Sequence, residues 1–118
     1  MMNTKVNVLL APKIEEAVGD KLSVGKLVNV ATGIVPDYSG AKTDDVITLT
    51  VNTSTGNNFH AQHALTGPEV GLPISFLIPE GIFSKGLVQG ATADVSYTVS
   101  QSGTPDRASL VLKLHLEK

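Results

Sequence analysis

The stretch "IVPDYSGAKTDDVITLTV", residues 34–51, carries Asp37, Asp44 and Asp45 beside Tyr38. Carboxylates grouped in a loop can ligate Ca²⁺, which takes about six to eight oxygens. The stretch lacks the alternating acidic order and central glycine of an EF-hand loop. Its composition also has a conformational explanation: Pro36 fixes φ, Gly40 can adopt positive φ, and aspartates bond to nearby backbone amides. We read it as the corner between two strands and assign no metal to Asp37, Asp44 and Asp45. A second candidate is "FHAQHAL", with His60 and His63 three positions apart and Glu69 a little further on. On a helix that spacing would put both imidazoles on one face, as a metal site requires, whereas on a strand it would not. A solvated loop or edge strand is the better reading. His115, between Lys113 and Glu117, reads as an exposed cross-strand partner.

Nucleophilic and phosphate-binding motifs fail one by one. Ser23 and Lys26 match S-x-x-K, but the accompanying S-D-N and K-T-G motifs are missing. "GDKLSVGKL" has the wrong glycine spacing for a P-loop, and Leu27 stands where Ser or Thr would hold Mg²⁺. G-x-S-x-G does not occur. The chain has no cysteine, which removes thiolate ligands, disulfides and Cys nucleophiles. No cofactor and no catalytic residue is assigned, and the expectation is that the protein is not an enzyme.

The elements that must carry these side chains are strands. "DVITLTVN" puts Ile47, Leu49 and Val51 on one face and Thr48, Thr50 and Asn52 on the other. "PISFLIP" groups Ile74, Phe76 and Ile78 between two prolines, which cannot donate to a ladder and so mark the strand's ends. "ADVSYTVS" turns Ala93, Val95, Tyr97 and Val99 inward. "SLVLKLHLEK" does the same with Leu110, Leu112, Leu114 and Leu116. "QSGTPDRA" between these two supplies turn chemistry for a hairpin. Upstream, Val28, Val30, Thr32 and Ile34 alternate, and "VNVLLAPKI" suits an edge strand broken at Pro12, an apolar candidate for self-association. Near residues 80–88, Ile82, Phe83 and Leu87 fit one short helical turn bounded by glycines. About seven short strands with almost no helix predict an all-β, antiparallel β-sandwich.

Composition sets the outer limits. A chain of 118 residues with 42% hydrophobic content suits a single domain, 1–118. A net charge of −2 gives no basic footprint for nucleic acid. No stretch approaches the roughly 18 apolar residues of a membrane helix, and the start is too polar for a signal peptide, so no membrane insertion is expected. Surface association or secretion would then proceed without a cleaved N-terminal signal, or as part of something larger.

Two blocks resemble a known family. "LAPKIEEAVGDKLSV" with "GIVPDYSGAKTDDVITLTV" looks like the opening half of bacterial Ig-like repeats found in large surface and adhesin-type proteins of Pseudomonas and related bacteria. Pro12, Ile14, Ala17, Val18, Pro36, Tyr38, Gly40, Asp45, Val46, Thr48 and Leu49 carry the match. "VGLPISFLIPEGIFSKGLVQGATADVSYTVSQSG", followed by "ASLVLKL", resembles the closing half. Residues 52–66 have no counterpart in the pattern. The resemblance implies an Ig-like sandwich and a non-catalytic structural, interaction or adhesion role with a protein or cell-surface partner. The alternative is a small carbohydrate-binding module gripping a glycan with Asp37, Tyr38, Asn57, Asn58, Phe59, His60 and His63. Against it stand the absence of Trp and the scarcity of aromatic platforms, two Tyr and three Phe.

Overall fold

A computed structural model describes residues 9–118. In chain order the strands are β1 (Lys13–Ile14), β2 (Lys21–Ser23), β3 (Val30–Val35), β4 (Val46–Thr53) and β5 (Asn58–Ala64). They continue with β6 (Ile74–Pro79), the single helical turn α1 (Gly81–Ser84), β7 (Thr92–Ser100), β8 (Arg107–Ala108) and β9 (Leu112–Glu117). Short 3₁₀ turns occupy Val24–Lys26 and Gly67–Glu69. The strands form two sheets. One has the order β1-β3-β6; the other runs β2-β9-β7-β4-β5, with β8 pairing beside β9 on β7. The protein is an all-β sandwich. Its pairings are antiparallel except β2 with β9, which runs parallel.

The period-two segments occupy the places that their patterning demands. Ile47, Leu49 and Val51 of β4 are fully buried, as are Val95 and, within a percent, Tyr97 and Val99 of β7. Ile74, Phe76 and Ile78 face them from β6. Each such side chain contributes about 1.5–3 kcal/mol on burial, so these three strands anchor the core. Phe83 of α1 is also fully buried, which explains why one helical turn persists between two strands.

Two parts of the pattern come out differently. In β3 the side chains that face the core are Ala31, Gly33 and Val35, while Val30, Thr32 and Ile34 lie on the more open face. Val28 precedes the strand and is exposed. A Cβ on Gly33 would sit 2.9 Å from Leu49 Cδ2 and 3.2 Å from Ile78 Cδ1, so the sheets close here on the smallest side chains. The second difference lies at Leu110, which is exposed. β8 pairs Val99 with Arg107, but β9 pairs Val95 with Leu112, a register one residue longer. That extra residue is a bulge. Ser109 N–H still donates to Tyr97 O of β7, but residues 110–111 leave the ladder, and Leu110 N–H donates to Leu9 O instead. The inward row therefore starts at Leu112. The first three residues of the expected strand "VNVLLAPKI", 6–8, lie outside the described residues; of the rest, Leu9 makes an isolated parallel bridge to Ser109 and the strand β1 begins only after Pro12, at Lys13.

Candidate functional site

The corner between β3 and β4 is organised by one carboxylate. Asp45, at the foot of β4, is 3% exposed. Its Oδ2 accepts from Tyr38 Oη at 2.7 Å, from the Lys42 backbone N–H at 2.9 Å and from Gln101 Nε2 at 3.1 Å. Gln101 Nε2 also reaches Gly40 O at 2.9 Å, and Arg107 donates to Ser39 O at 2.9 Å. The Arg107 guanidinium lies 5.5 Å from the centre of the Tyr38 ring, within cation–π range. Residues from three chain segments thus lock the loop through its acid, its tyrosine and its backbone.

The electrostatics follow from these contacts. Burial pushes the Asp45 carboxyl up, but the bonds from Tyr38, Lys42 and Gln101 favour the anion and leave it below the ordinary aspartate range. Tyr38 moves the other way: burial, then the bond to Asp45, raises its phenol well above the usual value. Burial also raises Tyr97, whose hydroxyl is buried without a hydrogen-bond partner among the described residues. An anionic acceptor facing a phenol this reluctant to ionise is a structural pair. Asp37 and Asp44 do not join it. Both are exposed, and Asp44 holds φ at 75° while its N–H donates to Leu65 O. Among the described residues no three His, Cys, Asp or Glu side chains are grouped to hold a metal ion.

The histidines separate as strand geometry requires. β5 exposes Asn58, His60, Gln62 and Ala64 on one face and half-buries Phe59, Ala61 and His63 on the other. His63 Nε2 lies 2.8 Å from Glu69 Oε1 and meets the Phe76 ring edge-on at 6.5 Å. Glu69 also accepts from the Thr66 N–H at 2.9 Å, closing a capping box around the Gly67–Glu69 turn. That backbone bond, then the His63 contact, lowers the Glu69 carboxyl. His115 lies 3.7 Å from Asp20, both exposed.

Asn57 and Asn58 sit at the far end of β4 from Asp37 and Tyr38. An eight-residue strand separates the two ends by roughly 25 Å. The seven candidate sugar-binding residues therefore do not converge on one pocket. Asn57 Nδ2 donates to Ile82 O at 3.0 Å and Lys85 O at 2.8 Å, tying the β4–β5 turn to α1. Phe59 packs against the core.

Beside the Tyr38–Asp45 pair an open cleft of about 600 Å³ is lined by Gly40, Lys42, Gln101, Arg107 and the 104–106 turn. Gln101 and Arg107 are the polar residues here that sequence reasoning passed over, because "QSGTPDRA" reads as turn chemistry. A lone basic residue at the end of a turn segment is the only signal. A second open groove, of about 530 Å³, lies between residues 87–91 and the end of β9. Comparison of the chain with protein-family models, curated proteins and solved structures finds no match in any of the three.

Proposed function

We propose that this chain is a non-catalytic Ig-like module of a bacterial surface or secreted system, used for protein interaction, adhesion or structural spacing. The observation that carries this reading is the strand order. β1-β3-β6 in one sheet against β9-β7-β4-β5 in the other supports this reading because it can be aligned with the A-B-E and G-F-C-C′ orders that Ig-like sandwiches use, β2 then running beside the last strand. A sandwich of this kind hosts many roles, so the site chemistry must bear on the choice. The acids and amides that could do chemistry are engaged in holding loops: Asp45 the β3–β4 corner, Glu69 its 3₁₀ turn, Asn57 the tie to α1. A scaffold built this way presents loops and edges to a partner.

The carbohydrate-binding alternative retains one location, the cleft beside Tyr38 and Arg107. Binding of the labelled protein to a broad glycan array, with Ca²⁺ and again with chelator, decides between the two. The module reading expects a blank array under both conditions; reproducible sugar binding abolished by Tyr38→Ala would replace it. Immunogold labelling of the encoding bacterium is expected to mark the cell surface or the medium, and label confined to the cytoplasm would refute the surface assignment.

A further inference from the structure

The edges of the two sheets are defended unequally. β1 is two residues long, and β2 is three residues long with Lys21 at its start. β6 is longer, but the Glu80 N–H bond to Asn29 O sets its ladder so that Ile74, Phe76 and Ile78 bond to β3, and Ser75, Leu77 and Pro79 point outward. Pro79 has no N–H to offer, and Pro73 stands immediately before the strand. Short length and proline are two of the devices by which proteins blunt an exposed edge.

β5 has neither. It spans Asn58–Ala64 at the end of its sheet and contains no proline and no Lys, Arg, Asp or Glu. Two bonds fix which backbone groups of β5 turn toward β4: Thr53 N–H donates to Asn57 O, and Leu65 N–H to Asp45 O, and among the described residues no strand pairs with its other side. By alternation the odd residues of β5 bond to β4. Asn58, His60, Gln62 and Ala64 direct their N–H and C=O groups away from the sheet, in a continuous uncharged row.

We propose that β5 pairs antiparallel with β5 of a second copy of this chain about a twofold axis through Ala61. In that register Asn58 lies opposite Ala64 of the other copy and His60 opposite Gln62, so the whole strand overlaps and every outward N–H and C=O meets a partner. These are the hydrogen-bonded pairs, each exchanging two bonds. The intervening pairs approach more closely, about 4.5 Å between Cα atoms. Ala61, with the smallest side chain of the row, meets itself there, and Phe59 of each copy faces His63 of the other. No like charges are brought together. Shifting the centre by one residue to His60 or Gln62 would set like side chains face to face and shorten the overlap. The interface is isologous and closes as a dimer, joining two six-stranded sheets across one seam. This goes beyond the module reading, since a monomer could still engage a foreign protein through its loops.

Sedimentation equilibrium of the purified full chain, from about 1 µM to about 500 µM, tests the proposal. A monomer–dimer equilibrium is expected. Gln62→Pro removes an outward N–H and no bond to β4, and should weaken dimerisation at least about tenfold. Amide exchange on the wild type gives a second readout that needs no variant. The His60, Gln62 and Ala64 amides should exchange more slowly at high concentration than at low. A monomer at every concentration, a dimer indifferent to Gln62→Pro in a folded variant, or exchange at these amides independent of concentration would each overturn the pairing.

Discussion

Removing the Asp45 carboxylate should cost more than any other single change in the β3–β4 corner. Asp45→Ala deletes the acceptor of three hydrogen bonds and strands the half-buried Tyr38 hydroxyl and the Lys42 N–H. A hydrogen bond to a charged group contributes about 1.5–3 kcal/mol. Gln101 keeps its second bond to Gly40 O, and Lys42 and Tyr38 lie near enough to the surface to recover some water, so the net loss expected is about 3 kcal/mol. Against a total stability of about 5–15 kcal/mol this is a large fraction. With a urea slope of about 1.5 kcal/mol per molar, the midpoint should fall by about 2 M. Asp37→Ala, a substitution at an exposed neighbour, should stay within about 0.5 kcal/mol.

The same carboxylate supplies a test in pH. Its folded pKa lies below the unfolded value of about 3.9, so its contribution is complete above that value and is lost as pH falls through the folded one. The stability gap between wild type and Asp45→Asn should therefore be full at neutral pH and close as the solution is acidified below about pH 4. Tyr38→Phe and Asp45→Asn should couple by about 1–2 kcal/mol in a double-mutant cycle, since they share the 2.7 Å bond. If Asp45→Ala costs no more than Asp37→Ala in urea titrations, or if the acid limbs of wild type and Asp45→Asn run parallel, the account of this corner is wrong.

Other substitutions probe other links. Gly33→Ala forces a methyl against Leu49 and Ile78 in a closed core and should destabilise by about 1–3 kcal/mol, read from the urea midpoint at constant slope. Tyr97→Phe removes a buried hydroxyl that has no partner among the described residues and should be neutral or stabilising by up to about 1 kcal/mol; a clear loss would mean that the hydroxyl is satisfied. Asn57→Ala should cost about 1–2 kcal/mol and expose the α1 segment to limited proteolysis, since both ties to that turn disappear. Tyr38 holds its proton more tightly in the folded state, so its contribution is present below about pH 10 and lost as pH rises beyond it; Tyr38→Phe should flatten the alkaline limb of the stability profile.

Strand existence was legible because it follows from one-dimensional alternation: in β4, β6 and β7 every apolar residue of the row is buried. Facing was legible only where the inward row is also the bulky row. β3 inverts that rule, because its neighbours Leu49 and Ile78 already fill the space and leave room for Ala31 and Gly33 alone. Periodicity cannot register a constraint set by the opposite sheet. Leu110 failed for a related reason, since a bulge resets the phase without leaving a residue type that betrays it.

The candidate site shows the same division between local and distant causes. Turn chemistry explained the β3–β4 corner correctly as far as Pro36 and Gly40 go, yet it treated its aspartates as equivalent. What singles out Asp45 is its place at the first inward-facing step before Ile47, where alternation carries a carboxylate under Tyr38 and within reach of Gln101, more than fifty residues away. A carboxylate there must be fully hydrogen-bonded or be replaced, because an unsatisfied buried charge costs more than the corner could return. That requirement binds Tyr38, Lys42 and Gln101 to one oxygen and leaves Asp37 and Asp44 in solvent. The loop most suggestive of chemistry in the sequence is therefore held shut by its own acid, and among the described residues the longest sheet edge without proline or charge is the backbone of β5.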